Sequence, residues 1–263
     1  MTERIHAVVL AGGSAFGLEA ASGVRRYLDH KGVGLNTAGG KVPLVVGAIL
    51  YDLTIGKSSA RPSREMGEAA AAAATDKAVP EGAVGAGTGA TVGKLFGMTR
   101  AMKSGIGSAT VELEGPLAGV KVAALAAVNA VGDVKDPATG KIVAGARTAP
   151  GSRDFVNSAR EMKRGATSGF TRSNTTLVVA ATNARFNKVD ANKLARLAQL
   201  GLVRAIDPVN TMSDGDLVIF LSVGTASAPL EPVGVAAAEA VAESILRAVR
   251  LAPTLGGVPG LKR

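Results

Sequence analysis

The chain has 263 residues, 47% hydrophobic and 19% charged, a balance that fits a folded globular protein and excludes a disordered one. It contains no cysteine, which excludes disulfides, thiolate metal sites and cysteine nucleophiles; His6 and His30 alone give a histidine triad or metal cluster little to build on. The net charge of +9 admits an anionic partner, but aromatic residues are only 3%, tryptophan is absent and the basic residues are scattered. A base-stacking nucleic-acid surface is therefore poorly supplied, and a solvated basic surface is the expectation.

In chain order, Ala7–Leu10 reads as a short buried strand. Gly12-Gly13-Ser14 reads as a turn with Ser14 as N-cap. A helix follows, with Phe16, Ala20, Val24, Tyr27 and Leu28 on one face and His30 at its solvated end. Val42–Leu53 is strand-like with Pro43 interrupting it, and Arg64–Lys77 is alanine-rich and helical by propensity. Gly82–Gly97 is a glycine-rich loop. Ala109–Glu114 and Val120–Val131 read as two strands joined at Gly115-Pro116. Asp136–Arg172 is polar and aperiodic, and is expected to be an exposed connector. The pattern then becomes regular: strand Thr175–Asn183, helix Asp190–Val203, strand Leu217–Val223 and helix Val233–Leu251. Mixed strands and helices with long connections imply sheets covered by helices. The longest apolar runs, Leu44–Leu50 and Val122–Val131, are too short to span a membrane, and no signal-peptide pattern opens the chain, so a cytoplasmic protein is expected.

Two glycine-rich runs invite a phosphate-loop reading and fail it. In Gly85–Lys94, Thr88 stands where a P-loop needs glycine and Leu95 where it needs Ser or Thr; in Gly12–Gly17, Ser14 replaces the second glycine of a dinucleotide fingerprint. Lys94 in isolation reads as a surface lysine. Asn129 lies in the very apolar run Val122–Val131, as a structural core amide or as a rigid oxyanion donor. Asp214-Gly215-Asp216 places two carboxylates at alternate positions before a strand, as a solvated turn or as a pair that orients a nucleophile. The run Ser173-Asn174-Thr175-Thr176-Leu177 crosses from a polar stretch into a β-branched strand. Thr175 and Thr176 could simply begin that strand. Cleavage of the Asn174–Thr175 bond would instead give Thr175 a free α-amine beside its hydroxyl, joining nucleophile and base in one residue.

Five segments in order resemble the P1/S58 peptidase family of DmpA-like L-aminopeptidase/D-esterases, with its β-aminopeptidase and 6-aminohexanoate-oligomer hydrolase relatives. They are Ala11–Leu18, Gly87–Lys94, Ala127–Asp133, Asn174-Thr175-Thr176 and Asp214-Gly215-Asp216. The resemblance implies a four-layer αββα sandwich of the α/β (α+β) class, related to ornithine acetyltransferase and forming one domain over residues 1–263. It also implies a precursor cut into chains 1–174 and 175–263, with Thr175 as the nucleophile. By the same resemblance Asn129 matches the oxyanion asparagine, Asp214 and Asp216 the acidic pair, Lys94 (or, less closely, Lys103) the active-site lysine, and Tyr51 a tyrosine lining the site. Small peptides, β-amino amides or amide oligomers are the implied substrates, with no metal or organic cofactor and a tetramer of cut protomers. An acyl transfer of the ornithine acetyltransferase type and an uncut basic binding protein are the alternatives. Family members carry several dozen more residues before the segment that begins here at His6, so a sheet short of its leading strands is expected.

Overall fold

The computed structural model describes residues 2–169 and 174–262. It begins with β1 (Ala7–Ala11), a 3-10 turn (Ser14–Gly17) and α1 (Leu18–His30). Next come β2 (Leu35–Thr37), β3 (Gly40–Val42), β4 (Val45–Ile49) and α2 (Arg64–Ala72). The middle of the chain holds β5 (Thr91–Val92), β6 (Met102–Lys103), β7 (Ile106–Glu112) and β8 (Lys121–Asn129). It continues through β9 (Asp133–Lys135), β10 (Ile142–Ala144) and α3 (Ser158–Lys163). The last part holds β11 (Thr175–Ala184), α4 (Lys188–Ala205), β12 (Ile206–Asp207), β13 (Leu217–Ala226) and α5 (Leu230–Arg250).

The main sheet has the order β13-β11-β8-β7, with β11 parallel to β13 and antiparallel to β8. Alternation along β8 assigns its two faces. Val122, Ala124, Ala126 and Val128 join the larger core with residues of α4 and α5. Leu125 and Ala127 join a smaller core with Leu10 of β1, Ala48 of β4, Ile106 and Leu177. The parallel pair β1-β4 therefore lies against the other face of the main sheet, and α1 and α2 pack together outside it. The layers run α4/α5, main sheet, β1-β4, α1/α2, which is the αββα sandwich. Strands buried on both faces lose the apolar–polar alternation of a half-exposed sheet, which is why β8 and β11 are apolar almost throughout. Glycine sets the spacing between layers at one point: a Cβ on Gly107 of β7 would lie 2.0 Å from the Ser244 carbonyl oxygen of α5. Among the described residues, no helix is long and apolar enough to cross a membrane.

Several expected boundaries change. Ser14 is not an N-cap: Gly13 (φ 81) and Ser14 (φ 54) are both left-handed in a tight turn, and α1 starts at Leu18 without a side-chain cap. Phe16 leaves the helix face and lies half-exposed under the Arg61 guanidinium, 3.5 Å from its ring centre. The second helix stops at Ala72 rather than Lys77, because its last alanines bury nothing and propensity alone does not sustain a short helix. Pro43 divides the expected strand into β3 and β4, and Leu50–Leu53 leaves the sheet. The expected exposed connector contains β10, α3 and the buried Ala144, Ala146, Arg147 and Ser158, while its end at Arg172 lies outside the described residues. Its organiser is Asp133, a fully buried carboxylate that accepts from the N–H groups of Ala146 (2.9 Å) and Ser158 (2.7 Å) and from the Ser158 hydroxyl (2.7 Å). Burial raises its pKa to about 6 against those hydrogen bonds.

Candidate active site

Thr175 is the first residue of β11 and stands in register with Asn129, the last residue of β8. By the alternation that turns Leu177 and Ala127 into the space between the sheets, both side chains project there. Thr175 is buried, and its hydroxyl donates to the carbonyl oxygen of Asn174 at 2.5 Å. The same oxygen accepts from the Gly215 N–H at 2.8 Å, through a parallel bridge between Asn174 and Asp214. The Asn174 side chain donates to the Ser213 carbonyl at 3.0 Å. Ser173 lies outside the described residues.

The acidic pair brackets this junction. Asp216 Oδ1 accepts from the Thr176 N–H at 2.6 Å and Oδ2 from the Asn210 N–H at 3.0 Å. Burial, followed by the neighbouring Asp214 charge, raises the Asp216 pKa, and the two N–H bonds oppose the rise. Asp214 Oδ1 accepts from the Val131 N–H at 3.2 Å, and Oδ2 accepts from the Thr211 hydroxyl at 2.6 Å. One carboxylate thus fixes the residue after Thr175, and the other ties the same turn to the residues following β8.

Asn129 is fixed from several sides. Its Oδ1 accepts from the Thr91 N–H (3.1 Å) and from Lys94 Nζ (2.9 Å), and its Nδ2 donates to the Tyr51 carbonyl (2.8 Å). Lys94 is not a surface lysine. It is 3% exposed, and Nζ donates to both the side chain and the main-chain carbonyl of Asn129 at 2.9 Å. Burial lowers its pKa to about 7, although Asp214, Asp216 and Asp52 favour the charged form. Lys103 is also fully buried, but its ammonium is tied to the carbonyls of Gly87, Ala90 and Ser104. Burial brings its pKa to about 8, opposed by Asp52.

A model of peptidase family S58 matches residues 2–263. The chain belongs to this family. An uncharacterized aminopeptidase of Mycobacterium leprae is 37% identical to this S58 peptidase over 97% of the chain and 74% of its own length. A 6-aminohexanoate-oligomer endohydrolase of a Kocuria strain is 29% identical over 86% of the chain and 63% of its own length. Among solved structures, the L-aminopeptidase D-Ala-esterase/amidase of Ochrobactrum anthropi, described as a variant of the Ntn hydrolase fold, superposes with a TM-score of 0.68 at 20% identity. That match covers 93% of this chain and 65% of the other. A Burkholderia β-aminopeptidase superposes with a TM-score of 0.62 at 23% identity, over 97% and 70% of the two chains. These structural likenesses show the fold.

In the S58 peptidase, then, Thr175, Asn129, Lys94, Asp214 and Asp216, taken from separate runs of sequence, form one connected network, which Tyr51 joins through its main-chain carbonyl. Sequence reasoning missed Asp52, whose Oδ1 accepts from the Gly13 N–H at 2.7 Å and whose charge acts on both buried lysines. Its trace in the sequence is a pair of glycines: a Cβ on either Gly12 or Gly89 would stand 2.4 Å from Asp52 Oδ2. A cavity of about 320 Å³ opens beside it, lined in part by Asp52, Ile55, Thr88 and Leu255. Thr211 and the Gly215 N–H were missed as well. Among the described residues, no group of three or more His, Cys, Asp and Glu side chains is placed to hold a metal ion.

Proposed function

We propose that this S58 peptidase cuts itself between Asn174 and Thr175 and then hydrolyses small amides with Thr175 as an N-terminal nucleophile. The observation that carries the reading is the Thr175 hydroxyl, buried and 2.5 Å from the carbonyl oxygen of the bond it would break. In maturation the Thr175 Oγ1–Asn174 C bond forms and the C–N bond breaks. The hydroxyl proton passes to neutral Lys94, which contacts the Asn129 carbonyl opposite Thr175, and returns to the departing nitrogen. Water then splits the ester, leaving an Asn174 carboxylate and a Thr175 with free hydroxyl and amine. A pKa of about 7 makes neutral Lys94 abundant at physiological pH.

In turnover the α-amine of Thr175, with an ordinary pKa of about 7.7–8.0, takes the hydroxyl proton and delivers it to the leaving amine. Asn129, held by Thr91, Lys94 and Tyr51, is the side-chain donor to the tetrahedral oxyanion, a role worth about 3 kcal/mol per donor. Asp214 and Asp216 hold the main chain around the nucleophile. Small peptides, β-amino amides and amide oligomers are the substrate classes, in line with the aminopeptidase and amide-oligomer hydrolase names among the relatives. Denaturing intact-mass spectrometry of wild type beside Thr175→Ala tests this. Two fragments in wild type, the smaller starting at Thr175, and one uncut chain in the variant are expected. A variant that is still cut at this bond would refute the mechanism.

A further inference from the structure

Among the described residues, the carbonyl oxygen of Asn174 accepts from two donors that differ in kind. One is the Thr175 hydroxyl, which must turn toward the carbonyl carbon to attack and so gives up its hydrogen bond. The other is the Gly215 N–H, 2.8 Å away, a main-chain dipole that stays in place while the hydroxyl turns. The oxyanion would form on this same oxygen, so a donor already 2.8 Å from it has little distance to travel to meet the charge.

We infer that the main-chain N–H of Gly215 is the oxyanion donor for the chain's own cleavage. The inference rests on the self-cleavage reading above. The turn that presents this N–H is pinned on both sides. Asp214 before it is held by Val131 and Thr211, and Asp216 after it is held by Thr176 and Asn210. The acidic pair thereby acquires a mechanical role, aiming the amide between its two members. Glycine suits the position because of the hydroxyl as well. A Cβ on residue 215 would lie 3.2 Å from Thr175 Oγ1, inside the space the nucleophile turns through.

The test follows self-cleavage after cell-free synthesis, with timed quenching and denaturing intact mass, for four chains: wild type, Thr175→Ala, Gly215→Ala, and a chain with glycolic acid in place of Gly215. The glycolate replaces the N–H with an ester oxygen and adds no atom, so its folding is expected to match wild type, as resistance to a protease will check. It should slow cleavage by about 10²–10³-fold, the usual effect of removing one oxyanion donor. Gly215→Ala keeps the N–H and crowds the hydroxyl, and should slow cleavage by a smaller factor. A folded glycolate chain that matures at the wild-type rate overturns the Gly215 assignment and leaves the nucleophile standing. Cleavage of Thr175→Ala, or an uncut wild type, overturns the self-cleavage reading itself.

Discussion

Replacing Lys94 by Met should change how stability depends on pH, by an amount that the burial of the lysine sets. Lys94 is 3% exposed, and its pKa falls from 10.5 to about 7, chiefly through burial. That drop corresponds to roughly 5 kcal/mol between the charged and neutral forms in the folded state. Because the folded value is depressed, the stability tied to the neutral amine is fully present above pH 10.5 and is lost as pH falls through about 7. Methionine fills the space without titrating. It also deletes two 2.9 Å hydrogen bonds to Asn129, while the Thr91 N–H remains on Asn129 Oδ1. The advantage of wild type over Lys94→Met should therefore shrink by about 3 kcal/mol between about pH 9.5 and 7. The comparison belongs in a Thr175→Ala background, so that both proteins unfold as single chains. Urea unfolding followed by circular dichroism across that range supplies the difference, and Lys103, present in both proteins, cancels. A difference that stays flat with pH would refute the reasoning.

The same lysine predicts that self-cleavage accelerates as pH rises through about 7 and then levels off; Lys94→Arg, which stays protonated, should abolish the rise in a timed mass assay. Asp133 has the opposite sign. Its raised value, about 6, means that the advantage of wild type over Asp133→Asn is largest below about pH 4 and shrinks by about 3 kcal/mol by pH 7, measured by urea unfolding. Gly107→Ala should cost about 1–3 kcal/mol or more in a thermal melt, because its Cβ meets the backbone of α5. Gly39→Ala, with open space around it, should stay within about 0.5 kcal/mol of wild type.

The long elements were legible because their patterns are long. The strands now seen as β8, β11 and β13 and the helices α4 and α5 lie where continuous apolar runs or helical spacing put them, with ends displaced by at most three residues. The segment from β9 through α3 was not legible. Its strands are short and its composition polar, and what organises it is one carboxylate reaching amides 13 and 25 residues away. The site divides in the same way. Asn129 stood out as a polar residue inside an apolar run, and Thr175, Asp214 and Asp216 as polar residues leading into strands; the register of β8 with β11 sets Asn129 beside Thr175. Lys94 stood out only through the family resemblance, since a lysine beside glycines resembles any surface lysine until its burial is known. Asp52 left its mark on distant glycines, and a backbone amide such as that of Gly215 leaves none.

The Asn174–Thr175 bond lies at the threshold of β11, an inner strand of the main sheet. After a cut there, β11 would belong to one polypeptide and its neighbour β8 to another, still joined along the register from Thr175–Asn129 to Thr182–Val122. Helix α5, on the smaller fragment, would still cover β7 and β8 on the larger. Neither piece would hold the whole main sheet or the whole of its core, so a cut molecule would be an obligate pair born in one chain. Its folding equilibrium would change order: the uncut chain unfolds independently of concentration, whereas a cut form would come apart into two bodies and gain stability as the concentration of its halves rises. Dilution, without effect on the uncut chain, would become a denaturant of the cut one.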